Sequence, residues 1–135
     1  MEKVNIMILF KTFLLAEIKR GRKTETRRLW EKCRVKPGSI HWACHKLFQN
    51  EPDCLVKVIS VHKEHLLDIT PEAVMREGFP DGNVQGFVDG FKQINAKKVA
   101  DPGVSYNAWN PELWVVRFKL VTLPRQTKLI EEKVA

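Results

Sequence analysis

Residues 21–28 read GRKTETRR, and this short stretch is the part of the chain that is most informative about the fold. It lies inside a basic segment, residues 19–36, that carries nine basic and two acidic side chains and a net charge of +7. The whole chain of 135 residues also carries +7, and residues 66–135 are balanced, with nine charges of each sign. Positive charge concentrated in one segment favours a polyanionic partner, above all RNA or DNA.

The residue types in this stretch allow more than charge attraction. Gly21 lets the backbone turn without a side chain in the way. Lys23 lies near other cations, which push the pKa of its amine down toward that of a general base, and Thr26 has a hydroxyl that such a base could activate. Three arginines are fork donors suited to phosphate or to base edges, namely Arg22, Arg27 and Arg28. On composition alone a solvated basic edge strand, RNA binding and catalysis all remain open.

The rest of the chain predicts a mixture of strands and helices. Strands are predicted at residues 4–10, 23–29, 39–48, 54–66 and 113–121. Helices are predicted at residues 11–19, 70–77 and 84–95, and a type II turn at Pro37-Gly38. Gly21 and Gly78 are expected to end the first two helices, and Thr70 to cap the second. Residues 96–111 are expected to form a long link.

The short stretch also fits a known pattern. Gly21, Lys23, Thr26 and Arg28 fill the four fixed positions of Gly-x-Lys-x-x-(Glu or Thr)-x-Arg, which resembles the motif of the ASCH domain family, a branch of the PUA-like fold. The likeness covers roughly residues 4–121, since the neighbouring segments follow in the family's order: LLAEIKRGRKT, RVKPG, AVMREGF, the helix at 87–95 and the closing strand. The resemblance implies an α+β fold, a small PUA-like β-barrel with helices packed on its rim. It also implies a single domain, residues 1–121, followed by a C-terminal tail, residues 122–135.

The resemblance further implies a cleft beside the motif that binds RNA or modified nucleosides. One bacterial branch, which hydrolyses the acyl amide of acetylcytidine, is similar around the motif, and its lysine, threonine and glutamate map onto Lys23, Thr26 and Glu77. By that analogy Lys23 activates the Thr26 hydroxyl for attack on the acyl carbon, and Glu77 orients the lysine or moves protons. RNA or nucleoside binding through a basic cleft is the leading expectation. An amidohydrolase and a module for an acidic protein partner are the alternatives.

Two features set this chain apart from that branch. It is longer, and it has Glu25 and Arg27 where the branch has apolar residues. In addition, Lys23 and Thr26 differ by three positions, so a straight strand would send them to opposite faces. The proposed chemistry therefore requires a bend at about Thr24–Glu25.

The remaining expected ligand contacts combine cations with an aromatic ring. They are Gly21, Arg22, Arg27, Arg28 and Trp30. Trp30 either stacks on a base or packs inside, whereas Trp42 and Trp114 are expected in the core. Tyr106 and Trp109, in the long link, could cover the cleft as a lid or plug its side.

Several classes of protein are disfavoured by the sequence. The longest apolar run, Ile6–Phe10, is far shorter than a membrane span, and no export signal is recognised at the N-terminus. Cys33, Cys44 and Cys54 are therefore expected as free thiols in a cytoplasmic protein. The cysteines and histidines between residues 33 and 45 lack the paired C-x2-C spacing of zinc sites. We expect no metal and no cofactor.

Overall fold

A computed structural model describes residues 7–99 and 105–122 of the chain. The elements are β1 (Met7–Leu9), α1 (Thr12–Lys19), β2 (Glu25–Arg28), β3 (Ile40–Cys44), β4 (Cys54–His65), a 3₁₀ helix (Leu66–Asp68), α2 (Pro71–Arg76), α3 (Val84–Ile94), α4 (Ala96–Val99) and β5 (Glu112–Val121). The predicted strands and helices are thus confirmed, with shifts at their ends, but the predicted link 96–111 begins with a short helix, α4, that was not predicted. Parts of the first strand, the long link and the tail lie outside the described residues.

The five strands form one mixed sheet in the order β1-β3-β4-β5-β2. β1 runs parallel to β3, and the other neighbours are antiparallel. The α+β class is confirmed, but within the described residues no backbone ladder joins β1 to β2, so the sheet is open where a barrel was predicted. Between these two short edge strands the contact is made by a side chain, since Arg28 Nη2 donates to the carbonyl oxygen of Leu9 at 2.7 Å.

Two cores lie on opposite faces of the long β4–β5 ribbon. Alternation along β5 directs Val116 and Phe118 to one face and Leu113 to the other. The first core joins Val116 and Phe118 to β1, α1 and β3 through Ile8, Phe10, Leu15, Ile18 and Ala43. The second core joins Leu113 to the helices through Leu66, Ile69, Ala73, Val74, Val88 and Trp109. The helices of the second core therefore approach β2 from the side away from the first core.

The end of α1 is fixed by Gly21. Its φ of +77° is in the left-handed region, and its N–H donates to the carbonyl of Ile18 at 3.0 Å. The N–H of Arg22 donates to the carbonyl of Glu17 at 2.9 Å, which completes a Schellman motif. The chain leaves this motif directly into Lys23.

The end of α2 repeats this geometry. Thr70 caps its start by accepting from the N–H of Ala73 at 3.1 Å, as predicted. Gly78 has a φ of +107° and follows Glu77, and the N–H of Phe79 donates to the carbonyl of Val74 at 3.2 Å. Two glycine-ended helices thus place Lys23 and Glu77 next to each other.

The tryptophans are distributed differently from the prediction. Trp109 is buried in the second core, and its ring centre lies 6.3 Å from that of Phe91, so it packs inside the protein and is not a lid. Trp42 and Trp114 were predicted in the core, and this is wrong, because both are only half-buried and belong to neither core. Trp114 lies on the face of the first core but beyond its end, where Lys63 Nζ covers the ring at 4.6 Å.

The described residues contain three free cysteines, as predicted. None of the helices in residues 7–99 and 105–122 has the length and apolarity that crossing a membrane requires. In the same ranges no three histidine, cysteine or acidic side chains gather in a way that could hold a metal ion.

Candidate functional site

A cleft of about 690 Å³ opens at the free edge of β2. Its polar floor consists of Lys23, Thr26, Arg27, Arg28 and Glu77. Its walls carry six aromatic rings, those of Phe10, Phe13, Trp30, Phe79, Phe87 and Phe91. A concave apolar pocket with a few convergent polar groups is the usual form of a small-ligand site.

Lys23 is almost fully buried in this floor, at 2% exposure. Its Nζ donates to the carbonyl oxygens of Glu25 at 2.7 Å and Glu77 at 2.8 Å, and to Glu77 Oε1 at 3.2 Å. These three bonds engage all three protons of the ammonium group, and one of them neutralises the carbonyl end of α2. Burial lowers the pKa of Lys23, although the Glu77 carboxylate opposes the shift.

Glu77 also holds Arg27, the second buried cation. Arg27 Nη1 lies 2.9 Å from Glu77 Oε2 and 2.6 Å from Glu25 Oε1, and Arg27 Nη2 lies 3.3 Å from Glu64 Oε1. Arg27 is 4% exposed, and its Nε is buried without a hydrogen-bond partner among the described residues. The guanidinium, predicted to contact a ligand, is therefore occupied by carboxylates and braces the floor from behind.

Thr26 and Arg28 lie on the other face of β2. Arg28 Nε donates to Thr26 Oγ1 at 3.3 Å, and the guanidinium lies 5.0 Å from the centre of the Phe10 ring. Arg28 is half-buried, so it combines a fixed position with access to the cleft. Thr26 Oγ1, at its side, is the hydroxyl of the floor.

The structure explains how Lys23 and Thr26 reach the same cleft. β2 begins only at Glu25, so Lys23 precedes the strand and its direction is set by the helix end at Gly21. The alternation that separates positions three apart in a strand therefore does not apply to it. Lys23, Thr26 and Glu77 all line the cleft, and Lys23 is bonded to Glu77. Within the described residues no hydrogen bond joins Lys23 to Thr26.

The other predicted contacts are divided between cleft and surface. Trp30 lines the cleft, with the Arg34 guanidinium 5.8 Å from its ring. Gly21 and Arg22 lie at the end of α1, outside the cleft lining. Arg22 Nε lies 2.6 Å from Glu17 Oε2, so its charge is paired at the surface.

The aromatic wall was not recognised in the sequence. Phe13, Phe79, Phe87 and Phe91 follow one another with ring centres 6.0, 5.9 and 6.2 Å apart. The i, i+4 spacing of Phe87 and Phe91 was interpreted as part of a core face. Both rings are half-buried: they rest on the second core and also line the cleft.

The fold and the cleft define a small α+β domain whose curled, open sheet carries a pocket at one free edge. No protein-family model matches the sequence, and no curated protein matches it. Among solved structures, the chain is similar to an ASCH domain from Lactobacillus crispatus JV V101, with a TM-score of 0.67 and 15% identity over 84% of this chain and 77% of that one. The resemblance to the ASCH domain family is thus confirmed at the level of the fold.

Two further solved structures share this fold. One is a DUF984 protein from Enterococcus faecalis V583, with a TM-score of 0.65 and 15% identity over 85% of this chain and 75% of that one. The other is the hypothetical protein PH0355, with a TM-score of 0.56 and 14% identity over 85% of this chain and 97% of that one.

Proposed function

We propose that the cleft binds a nucleoside unit, free or within an RNA chain, by stacking its base against the aromatic wall. The observation that carries this proposal is the pairing of that wall with a polar floor in one cavity of about 690 Å³. Aromatic rings accept the face of a base, and hydroxyl and cationic groups hydrogen-bond its edges or its sugar.

Charge adds to this complementarity. The charged side chains of the cleft lining are Lys11, Lys23, Arg27 and Arg28 against Glu77 and Asp81, a formal excess of +2. The basic character predicted for the cleft is therefore modest in its lining. This small positive excess favours a neutral or negatively charged ligand and disfavours a cationic one.

Titration calorimetry with the four ribonucleosides and with short single-stranded RNA tests the proposal. Phe13 is 53% exposed on the wall, so Phe13→Ala removes a stacking surface without opening a core. We expect this substitution to weaken binding by roughly 1–3 kcal/mol, the usual contribution of one base stack. Phe48, 90% exposed and outside the cleft lining, supplies the matched control Phe48→Ala, which should bind like the wild type. Absence of binding by the wild-type protein, or equal losses in both variants, would refute stacking in the cleft.

A second candidate function is hydrolysis of an acylated cytidine. It is favoured by one observation, the position of Lys23, Thr26 and Glu77 in the same cleft, with Lys23 and Glu77 bonded at 3.2 Å. Because all three Lys23 protons are engaged, the amine must first give one to the Glu77 carboxylate. It can then accept the Thr26 proton as Oγ1 attacks the acyl carbon. The amine of the base leaves with a proton, and water releases acetate from the threonine ester.

Acetate release from acetylcytidine separates the two candidates. An enzyme should release acetate at a rate that Lys23→Ala and Thr26→Val abolish, whereas a binding protein should take up the nucleoside intact. Thr26→Val retains the side-chain volume, and its affinity for the nucleoside reports whether the cleft is still formed. No release by the wild type, or release that persists in Thr26→Val, would exclude the threonine mechanism.

A further inference from the structure

The buried charges of the cleft floor cancel in pairs, with one exception. Lys23 and Arg27 face Glu77, and Arg27 also faces Glu25. Glu25 is further shared with Arg76 at 3.0 Å. These carboxylates are thus directly paired with Lys23, Arg27 and Arg76. No described carboxylate is in ion-pair contact with the remaining cation of the floor.

Arg28 is the exception. In the described part of the chain no carboxylate lies within ion-pair distance of it; its partners are the Leu9 carbonyl, the Thr26 hydroxyl and the Phe10 ring. Two of its N–H groups, Nε and Nη2, are used in fixing its position, and Nη1 makes no hydrogen bond to a described residue. A half-buried guanidinium in a fixed position, with Nη1 unbonded and no carboxylate of the described residues in direct contact, is suited to an incoming anion.

Arg28 is also well supported for this task. Its bond to Leu9 links the two open edges of the sheet, so moving the guanidinium would break this link. The cost of ordering its long side chain is thus met by the fold before a ligand arrives, and an arginine fixed in advance loses less entropy on binding. Lys11, exposed on the same cleft lining, adds a second positive charge next to Leu9 and Phe10.

We infer that the ligand of this cleft is a nucleotide whose phosphate binds Arg28, and not an unphosphorylated nucleoside. The inference rests on the proposed function, because it assumes that the base stacks on the aromatic wall. A phosphate oxygen can accept from the unbonded Nη1 of Arg28, and the negative charge of the phosphate complements the guanidinium. Arg28 then distinguishes a nucleotide from the nucleoside with the same base, whereas the aromatic wall binds the base itself.

The experiment compares each ribonucleoside with its 3′- and 5′-monophosphates by titration calorimetry, on the wild type, Arg28→Gln and Arg20→Gln. Arg20 is an exposed arginine outside the cleft and serves as the matched control for the loss of one charge. In the wild type we expect one monophosphate to bind about 10- to 100-fold more tightly than its nucleoside, the usual effect of charge-assisted hydrogen bonds. Arg28→Gln should reduce the ratio to near one, and Arg20→Gln should preserve it.

The outcomes distinguish this inference from the function on which it rests. The far-UV circular dichroism spectrum and the urea midpoint of Arg28→Gln show whether the variant is folded, and the ratio of nucleotide to nucleoside affinity is taken within each variant, so that a general loss of affinity cancels. If the wild type binds nucleoside and nucleotide equally, the inference is overturned and base binding remains. The same conclusion follows if Arg28→Gln still prefers the nucleotide over the nucleoside. If neither class binds the wild type, both the proposed function and the inference fall.

Discussion

Replacing Glu77 by glutamine tests the buried network most directly, since this carboxylate joins the two buried cations. Glu77 is 4% exposed and accepts from Lys23 Nζ at 3.2 Å and Arg27 Nη1 at 2.9 Å. Removing one partner of a buried ion pair costs about 3–5 kcal/mol, because a charge is left without compensation. Arg27 keeps Glu25 and Glu64, so the cost falls mainly on Lys23, which keeps only carbonyl oxygens. We therefore expect a loss of about 3 kcal/mol for Glu77→Gln.

Urea unfolding followed by far-UV circular dichroism measures this loss, provided that the dependence on urea is equal among variants. Glu72, an exposed acid in the first turn of the same helix, gives the control Glu72→Gln, which should cost no more than about 1 kcal/mol. The double variant Lys23→Met/Glu77→Gln removes the orphaned charge. It should be more stable than Glu77→Gln alone, and its loss should be smaller than the sum of the two single losses by a coupling of about 0.5–3 kcal/mol.

The reasoning would be refuted by either of two results. One is a Glu77→Gln variant that unfolds like Glu72→Gln, which would mean that the carboxylate is not bound inside the protein. The other is a double variant whose loss equals the sum of the single losses, which would mean that Lys23 and Glu77 do not interact.

Three further predictions concern other residues. Lys57 and Lys119 are directly opposed on β4 and β5, so Lys57→Glu should raise the free energy of unfolding by about 0.2–1 kcal/mol. Adding Lys119→Glu should abolish this gain, and a Lys57→Glu variant with the stability of the wild type would contradict the prediction. Because burial lowers the pKa of Lys23, the folded state loses its proton first, and the stability of the wild type relative to Lys23→Met should rise with pH in the alkaline range below 10.5, the ordinary pKa of lysine. Urea titrations at several pH values measure this difference, and a difference that falls with pH would contradict the prediction. Gly78→Ala should lower the melting temperature more than Gly21→Ala. Both glycines have positive φ, but of the two only Gly78 has neighbours that a Cβ would meet, the nearest at 3.0 Å. Equal melting temperatures of the two variants would count against this prediction.

Local signals in the sequence were sufficient for the secondary structure. Gly21 and Gly78 end their helices with positive φ, Thr70 caps α2, and Gly38 takes the positive φ of the predicted turn. These features depend on a few neighbouring residues, and so they can be recognised without the fold. The open sheet could not be recognised in this way, because it depends on how far the short edge strands β1 and β2 approach each other in three dimensions.

The structure brings Lys23, Thr26 and Glu77 to one cleft, but the surroundings of these residues were not recognised in the sequence. Lys23 and Glu77 are 54 positions apart, and only the motif resemblance linked them. Nothing local indicated that Arg27 would pair with Glu64, 37 positions away, and with Glu77. The same limit applies to Phe87, since helical periodicity identifies an apolar face but does not distinguish a face in the core from one that borders a cavity.

The basic segment that dominates the sequence therefore has a different meaning in the folded protein. Arg20 and Arg22 are paired with Glu17, and Lys23 and Arg27 with acids brought in by the fold, so these four cations attract a polyanion less than their number implies. Replacing a buried ion pair with apolar residues is often neutral or stabilising, which means that the buried charges of this floor are not explained by stability alone. Lys23, Arg27 and Glu77 line the cleft together with Thr26 and Arg28, and a role in the floor of a binding site accounts for their burial better than stability does. On this argument the segment chiefly builds the polar floor of the cleft, and only secondarily supplies long-range charge.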